Sequence, residues 1–192
     1  VMQGYGAIAE EIVEQTSAQR GRAGAFTHVV LQGGVGGMAA GLASYFWEYH
    51  GPQCPCFISV EPAQAACLLQ SAIQGRPAKA TGTVDSVMAG LACGETSPLA
   101  WRFLQPCVDV FMTIEDEQAI EAMRALAQGS ERDTPIVAGE SGVAGLAALE
   151  WLRSDPQRSE QVGLTAESRV LIISTEGATA PREYTRLVGQ SA

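Results

Sequence analysis

Two rhythms alternate along the chain. Short, nearly continuous apolar runs predict strands at Thr27–Leu31, Cys56–Val60, Val108–Thr113 and Val170–Ser174. Between and around them, apolar residues recur at helical spacing and predict helices at Ala7–Gln19, Met38–Tyr49, Pro62–Gln70, Val84–Ala92, Pro98–Leu104, Glu115–Gln128 and Gly142–Arg153. Strand and helix in turn are the pattern of a parallel sheet with covering helices. The expected fold class is therefore α/β, a three-layer αβα arrangement around a mostly parallel sheet.

Local signals refine the boundaries. Thr113 is placed to cap the helix that begins near residue 115, and Glu115, Asp116 and Glu117 suit its positive end. Asp155–Thr165 is polar and contains proline, so it reads as a surface loop. After the last strand, Thr175–Pro181 reads as a turn followed by a short polar tail. Val1 leads straight into a helical pattern with no room for a strand ahead of it. The chain is accordingly expected to begin inside a fold, with a C-terminus that reads as finished.

Composition narrows the partners. At 192 residues the chain suits one domain or a large part of a bigger one, and 46% hydrophobic against 17% charged residues describes a globular protein. A net charge of −9 argues against nucleic acid, whose binders present a basic surface. No apolar run is long enough to span a bilayer and no signal-peptide pattern opens the chain, so a cytoplasmic setting is expected. Cys54, Cys56, Cys67, Cys93 and Cys107 lack framework spacing and read as reduced thiols. His28 and His50 stand at no ligand spacing from Cys54-Pro55-Cys56, and no metal is expected.

The chemistry concentrates in Gln32-Gly33-Gly34-Val35-Gly36-Gly37-Met38, between a predicted strand and a predicted helix. Glycines at such a junction let successive backbone N–H groups face a helix N-terminus unobstructed, an arrangement that suits a phosphate. The same residues also suit a tight strand-to-helix turn. Gly34-x-Gly36-x-x-Ala39 formally matches a dinucleotide fingerprint, with Glu61 where a ribose-binding acid would sit. Pro62 directly after it suits a helix start equally well.

Several segments together resemble pyridoxal-phosphate enzymes of the tryptophan-synthase-β type (fold type II). They are Met2-Gln3-Gly4-Tyr5, Gly33–Met38, Val60-Glu61-Pro62, Met88–Glu95, Gly139-Glu140-Ser141-Gly142 and Ser174-Thr175-Glu176-Gly177, and the resemblance covers essentially the whole chain. The Ala89–Glu95 and Ser174–Gly177 segments resemble in particular the diaminopropionate ammonia-lyases. Ala178 and Ala180 depart from that pattern, which usually carries acids there.

The resemblance implies a site. Backbone amides of Gly34, Val35, Gly36, Gly37 and Met38 would hold the 5′-phosphate of pyridoxal phosphate, and Ser174 or Thr175 would meet the pyridine nitrogen with a hydroxyl. A neutral hydroxyl leaves that nitrogen largely unprotonated, which suits β-elimination, where the leaving group takes the electrons. Gly90 and Glu140 would lie beside the ring, although a packing glycine and an ordinary acid at a helix start account for them as well.

The family's Schiff-base lysine is implied to lie upstream. Lys79, the single lysine, sits in a loop-like stretch without the Ser/Asn-rich surroundings of that residue. The expectation is the C-terminal portion of a lyase that converts 2,3-diaminopropionate to pyruvate and ammonia, inactive alone, with a small amino-acid substrate and a homodimeric assembly. Threonine, serine or a cysteine-related amino acid as substrate, a nicotinamide-dinucleotide domain, and a non-enzymatic regulatory domain stay open at this level.

Overall fold

A computed structural model describes residues 2–20 and 26–192. Its elements in chain order are α1 (Met2–Arg20), β1 (His28–Gln32), α2 (Gly37–His50), β2 (Cys56–Pro62), α3 (Cys67–Gln74), α4 (Pro98–Cys107), β3 (Val110–Ile114), α5 (Asp116–Gln128), α6 (Ala144–Arg153), α7 (Pro156–Gln161), β4 (Val170–Ile172) and α8 (Pro181–Val188). The strands form one four-stranded sheet in the order β3-β2-β1-β4, and every pairing is parallel.

Period-two alternation along the strands sorts the core into two halves. Val30 of β1 with Ile58 and Val60 of β2 face a cluster built with α5, α6 and α8. Val29, Leu31 and Phe57 face the opposite cluster, built with α1, α2, α3 and α4. Both faces of the sheet are thus covered by helices, the three-layer αβα arrangement expected of parallel strands that are apolar on both sides.

Two predicted helices come out differently, each because a side chain outside the predicted helix claims backbone donors. Pro62 ends β2, opposite Ile114, instead of opening a helix. The helix begins only at Cys67, where Glu61 accepts the N–H groups of Leu68 and Leu69 at 2.7 and 2.8 Å. The segment Val84–Ala92 forms no α-helix, only a 3-10 turn at Ala89–Leu91. There Asp116 takes the Ser86 hydroxyl at 2.6 Å and the Val87 N–H at 3.0 Å, while Ser141 Oγ takes the Gly90 N–H at 3.0 Å. These bonds displace a helical ladder.

The cap of α5 is Glu115, not Thr113, which still belongs to β3 and pairs with Glu61. Glu115 and Gln118 form a reciprocal capping box, with the Glu115 N–H donating to Gln118 Oε1 at 2.7 Å. Part of the predicted loop Asp155–Thr165 is the short helix α7, capped by Asp155 on the Gln157 N–H. The predicted turn and tail contain α8, which starts at Pro181, ends before Gly189 and buries Tyr184 and Leu187. Among the described residues no helix is long and apolar enough to cross a membrane.

Candidate functional site

The strand order places a crevice before any side chain is considered. From β1 the chain proceeds outward through β2 and β3, then returns to set β4 on the other side of β1. Loops leaving the carboxyl ends of β1 and β4 therefore diverge, and ligands of open parallel sheets settle in such a gap. A cleft of about 710 Å³ lies there. The β1 side supplies Gln32 and Gly34 to Met38, the β4 side supplies Ile173 to Glu176, and Tyr5, Ile8, Gly90, Leu91, Cys93 and Ser141 complete the lining.

The glycine loop is held from behind. The Gly33 N–H donates to Val60 O at 2.9 Å, and Gly36 turns the chain into α2 with φ 95°, a conformation that side chains disfavour. A Cβ on Gly36 would meet Leu104 Cδ1 at 2.7 Å, and one on Gly34 would meet Cys93 Sγ at 2.9 Å. The loop thus follows a path that substituted residues would obstruct. It opens directly onto α2, whose first turn carries no acidic side chain. The first N–H groups of a helix lack intrahelical acceptors, and the helix dipole adds positive potential there, so this end of the cleft is suited to an anion.

Cys67 and Glu61 anchor the loop without entering the cleft lining. The Cys67 thiol donates to Gly34 O at 3.3 Å. Burial pushes that thiol up to about 11, which keeps its proton in place for the bond. Glu61 is buried, and its carboxyl is engaged by the Leu68 and Leu69 N–H groups, so it does not reach out as a ribose-binding acid would. Burial pushes its carboxyl up to about 7, against the opposing pull of those backbone donors.

Reaching from the β1 side to the opposite wall, Gln32 Nε2 donates to Ile173 O at 2.8 Å and to Thr175 Oγ1 at 3.0 Å. Ser174 Oγ makes only a long contact of 3.5 Å to Glu176 O. Glu176 Oε1 accepts the Ser141 N–H at 2.7 Å, which ties the loop after β4 to the turn before α6.

Of the residues singled out from sequence, Gly34, Val35, Gly36, Gly37, Met38, Gly90, Ser174 and Thr175 all line this one cleft. Glu140 does not: it is half-buried, and its neighbour Ser141 is the residue that turns inward. Gln32 was given no role of its own, although a polar residue directly after Val29-Val30-Leu31 and immediately before the loop is a visible signal. Lys79 lies away from the lining, with Nζ 3.6 Å from Glu95 Oε2 and both side chains largely exposed. Among the described residues no group of three or more histidine, cysteine or acidic side chains is arranged to hold a metal ion.

The glycine turn at a helix start, the hydroxyl facing it and the absence of acid at the anion end fit a phosphorylated pyridine cofactor. Comparison with known proteins gives the same answer. Residues 1–176 match the family described as pyridoxal-phosphate dependent enzyme. The chain is 40% identical to diaminopropionate ammonia-lyase of Escherichia coli K12 over 191 residues, covering 98% of this chain and 47% of that protein. The Salmonella typhimurium LT2 enzyme of the same name is 38% identical over 200 residues, with 100% and 49% covered. A crystal structure of the E. coli enzyme in complex with an aminoacrylate-PLP azomethine reaction intermediate superposes with a TM-score of 0.86 at 39% identity, covering 97% of this chain and 47% of that one. The chain spans about half the length of the curated relatives it matches. With the match extending over residues 1–176, the chain belongs to the pyridoxal-phosphate dependent enzyme family.

Proposed function

We propose that this chain supplies the phosphate-holding and ring-nitrogen-holding walls of a carbon–nitrogen lyase that uses pyridoxal 5′-phosphate to eliminate ammonia from 2,3-diaminopropionate, giving pyruvate and ammonia. One observation carries the reading: the glycine loop after β1 and the Thr175 hydroxyl after β4 line a single cleft. In this reading the backbone N–H groups of Gly34 to Met38 hold the phosphate, and the positive end of α2 balances its charge. Thr175 or Ser174 faces the pyridine nitrogen, Gly90 borders the ring, and Glu140 acts at most from outside the cleft lining. The bound cofactor supplies an electron sink for the pair left at Cα when its proton departs.

The chain's own residues bind and orient; they do not supply an amine to the cleft, because Lys79 lies outside it in a surface ion pair. We therefore read the 192-residue chain as inactive by itself. The choice of 2,3-diaminopropionate rests on the relatives' identity levels of 40% and 38%. A homodimer belongs to the same reading and rests on the family resemblance. A cytoplasmic setting is supported by the free thiols of all five cysteines.

Calorimetric titration of the chain with pyridoxal 5′-phosphate and with pyridoxal tests the reading. The phosphate ester is expected to bind tighter by about tenfold or more, because charge-assisted contacts to the loop depend on it. Equal affinities would overturn it, as would NADH protecting the Gly34–Met38 amides while pyridoxal phosphate leaves them unprotected.

A further inference from the structure

Gln32 is 2% exposed and stands at the carboxyl end of β1, where its amide spans the gap to the chain leaving β4. One of its contacts is to Ile173 O at 2.8 Å. A backbone carbonyl only accepts, so the amide must present nitrogen to it, and the amide orientation follows. The second Nε2 proton then goes to Thr175 Oγ1 at 3.0 Å, which must accept it. With that lone pair occupied by a donor, the hydroxyl's own proton is left for another partner. Ser174, the residue before it, has no comparable donor fixing it among the described residues and makes a 3.5 Å contact to Glu176 O. Gln32 Oε1 is buried with no hydrogen-bond partner among the described residues, a cost that apolar side chains at this position would avoid.

We propose that Gln32 is a positioning residue that fixes Thr175, not Ser174, as the hydroxyl serving the cleft, and fixes it as a hydrogen-bond donor. A donor selects a ligand atom with a free lone pair. The unprotonated pyridine nitrogen that the family resemblance implies would then be selected through a residue that need not touch the ring itself. This inference rests on reading the cleft as a pyridoxal-phosphate site.

The test uses the full 192-residue chain and 4′-deoxypyridoxine 5′-phosphate labelled with nitrogen-15 in the ring. This probe lacks the aldehyde and cannot react with amines, and its nitrogen shift reports ring protonation across a pH series. In the parent chain the bound ring is expected to stay unprotonated at pH 7. Gln32→Glu removes both amide protons, so the Thr175 proton turns to the carboxylate and the hydroxyl offers lone pairs instead. The bound ring is then expected to hold its proton to a pH higher by about one unit, a tenfold change in proton affinity. Thr175→Ser is expected to keep the parent titration.

If Gln32→Glu fails to fold, Gln32→Leu, which frees the hydroxyl to rotate, is expected to shift the titration the same way by a smaller amount. Binding of the probe by either variant with the parent's ring titration would overturn the proposal. A parent chain that does not bind the probe, or a Thr175→Val chain whose bound ring titrates like the parent's, would instead overturn the reading of the cleft, and this proposal with it.

Discussion

The Glu61 carboxyl, one residue before the end of β2, accepts the Leu68 N–H at 2.7 Å and so ties the first turn of α3 to the sheet. Behind the glycine loop, the same turn carries the Cys67 thiol that holds Gly34 O. This buried acid makes the fold sensitive to pH. Its carboxyl is raised from an ordinary 4.5 to about 7 by burial, so between those values the folded chain holds a proton that the unfolded chain releases. Stability contributed by that proton is complete below about 4.5 and is lost as pH rises through about 7, a change on the order of 3 kcal/mol. Urea titrations from pH 5 to pH 8 are expected to show a decline that Glu61→Gln largely removes. Parallel pH profiles for the two chains would assign the decline to other groups.

Gly36 and Gly37 are adjacent but predict different outcomes. Gly36 has φ 95° and Leu104 within 2.7 Å of where a Cβ would stand, whereas nothing lies within 4 Å of one on Gly37. Gly36→Ala is expected to destabilise the chain by about 1–3 kcal/mol through backbone strain and crowding. Gly37→Ala is expected to stay within about 0.5 kcal/mol of the parent. Chemical denaturation of the two variants compares them directly.

Lys79 is expected to be irrelevant to the cleft. Its Nζ pairs with Glu95 at 3.6 Å on the surface, and exposed pairs of this kind contribute about 0–1 kcal/mol. Lys79→Ala should leave pyridoxal 5′-phosphate affinity unchanged, and borohydride treatment of the parent chain with the cofactor should not fix an adduct at Lys79 in proportion to occupancy of the cleft. A tenfold loss of affinity in the variant would place the amine at the site after all.

Helix α8 is small but well anchored. Leu187 is buried against the cluster that includes α5 and α6, and the Leu187 carbonyl accepts from Arg124 Nε at 2.8 Å. Leu187→Ala is expected to cost about 2–4 kcal/mol, read as a lower denaturation midpoint with an unchanged slope.

What sequence reading captured and missed has a common cause. The strands and the glycine turn were legible because their signals are local: apolar runs, and glycines at a strand end. Val84–Ala92 was not, because the acceptors that dismantle its helix, Asp116 and Ser141, lie 30 and 51 residues away at the Ser86 and Gly90 contacts. The start of α3 was hidden for the same reason on a smaller scale, since Glu61 reaches Leu68 across seven residues. Within the candidate site, the loop and the hydroxyls were found by motif. Gln32 was passed over because its importance lies in what it touches on a strand from the other end of the chain.

That last separation has a consequence for how the protein is made. Thr27 meets Arg169 from 142 residues away, and β4 can dock on β1 only after all the residues between them have been synthesised. On the ribosome, the glycine loop can therefore exist well before Thr175 does, and a chain arrested ahead of Val170 carries one wall of the cleft without the other. On the proposed reading, tight cofactor binding is then expected only once β4 has docked, with that strand acting as the latch.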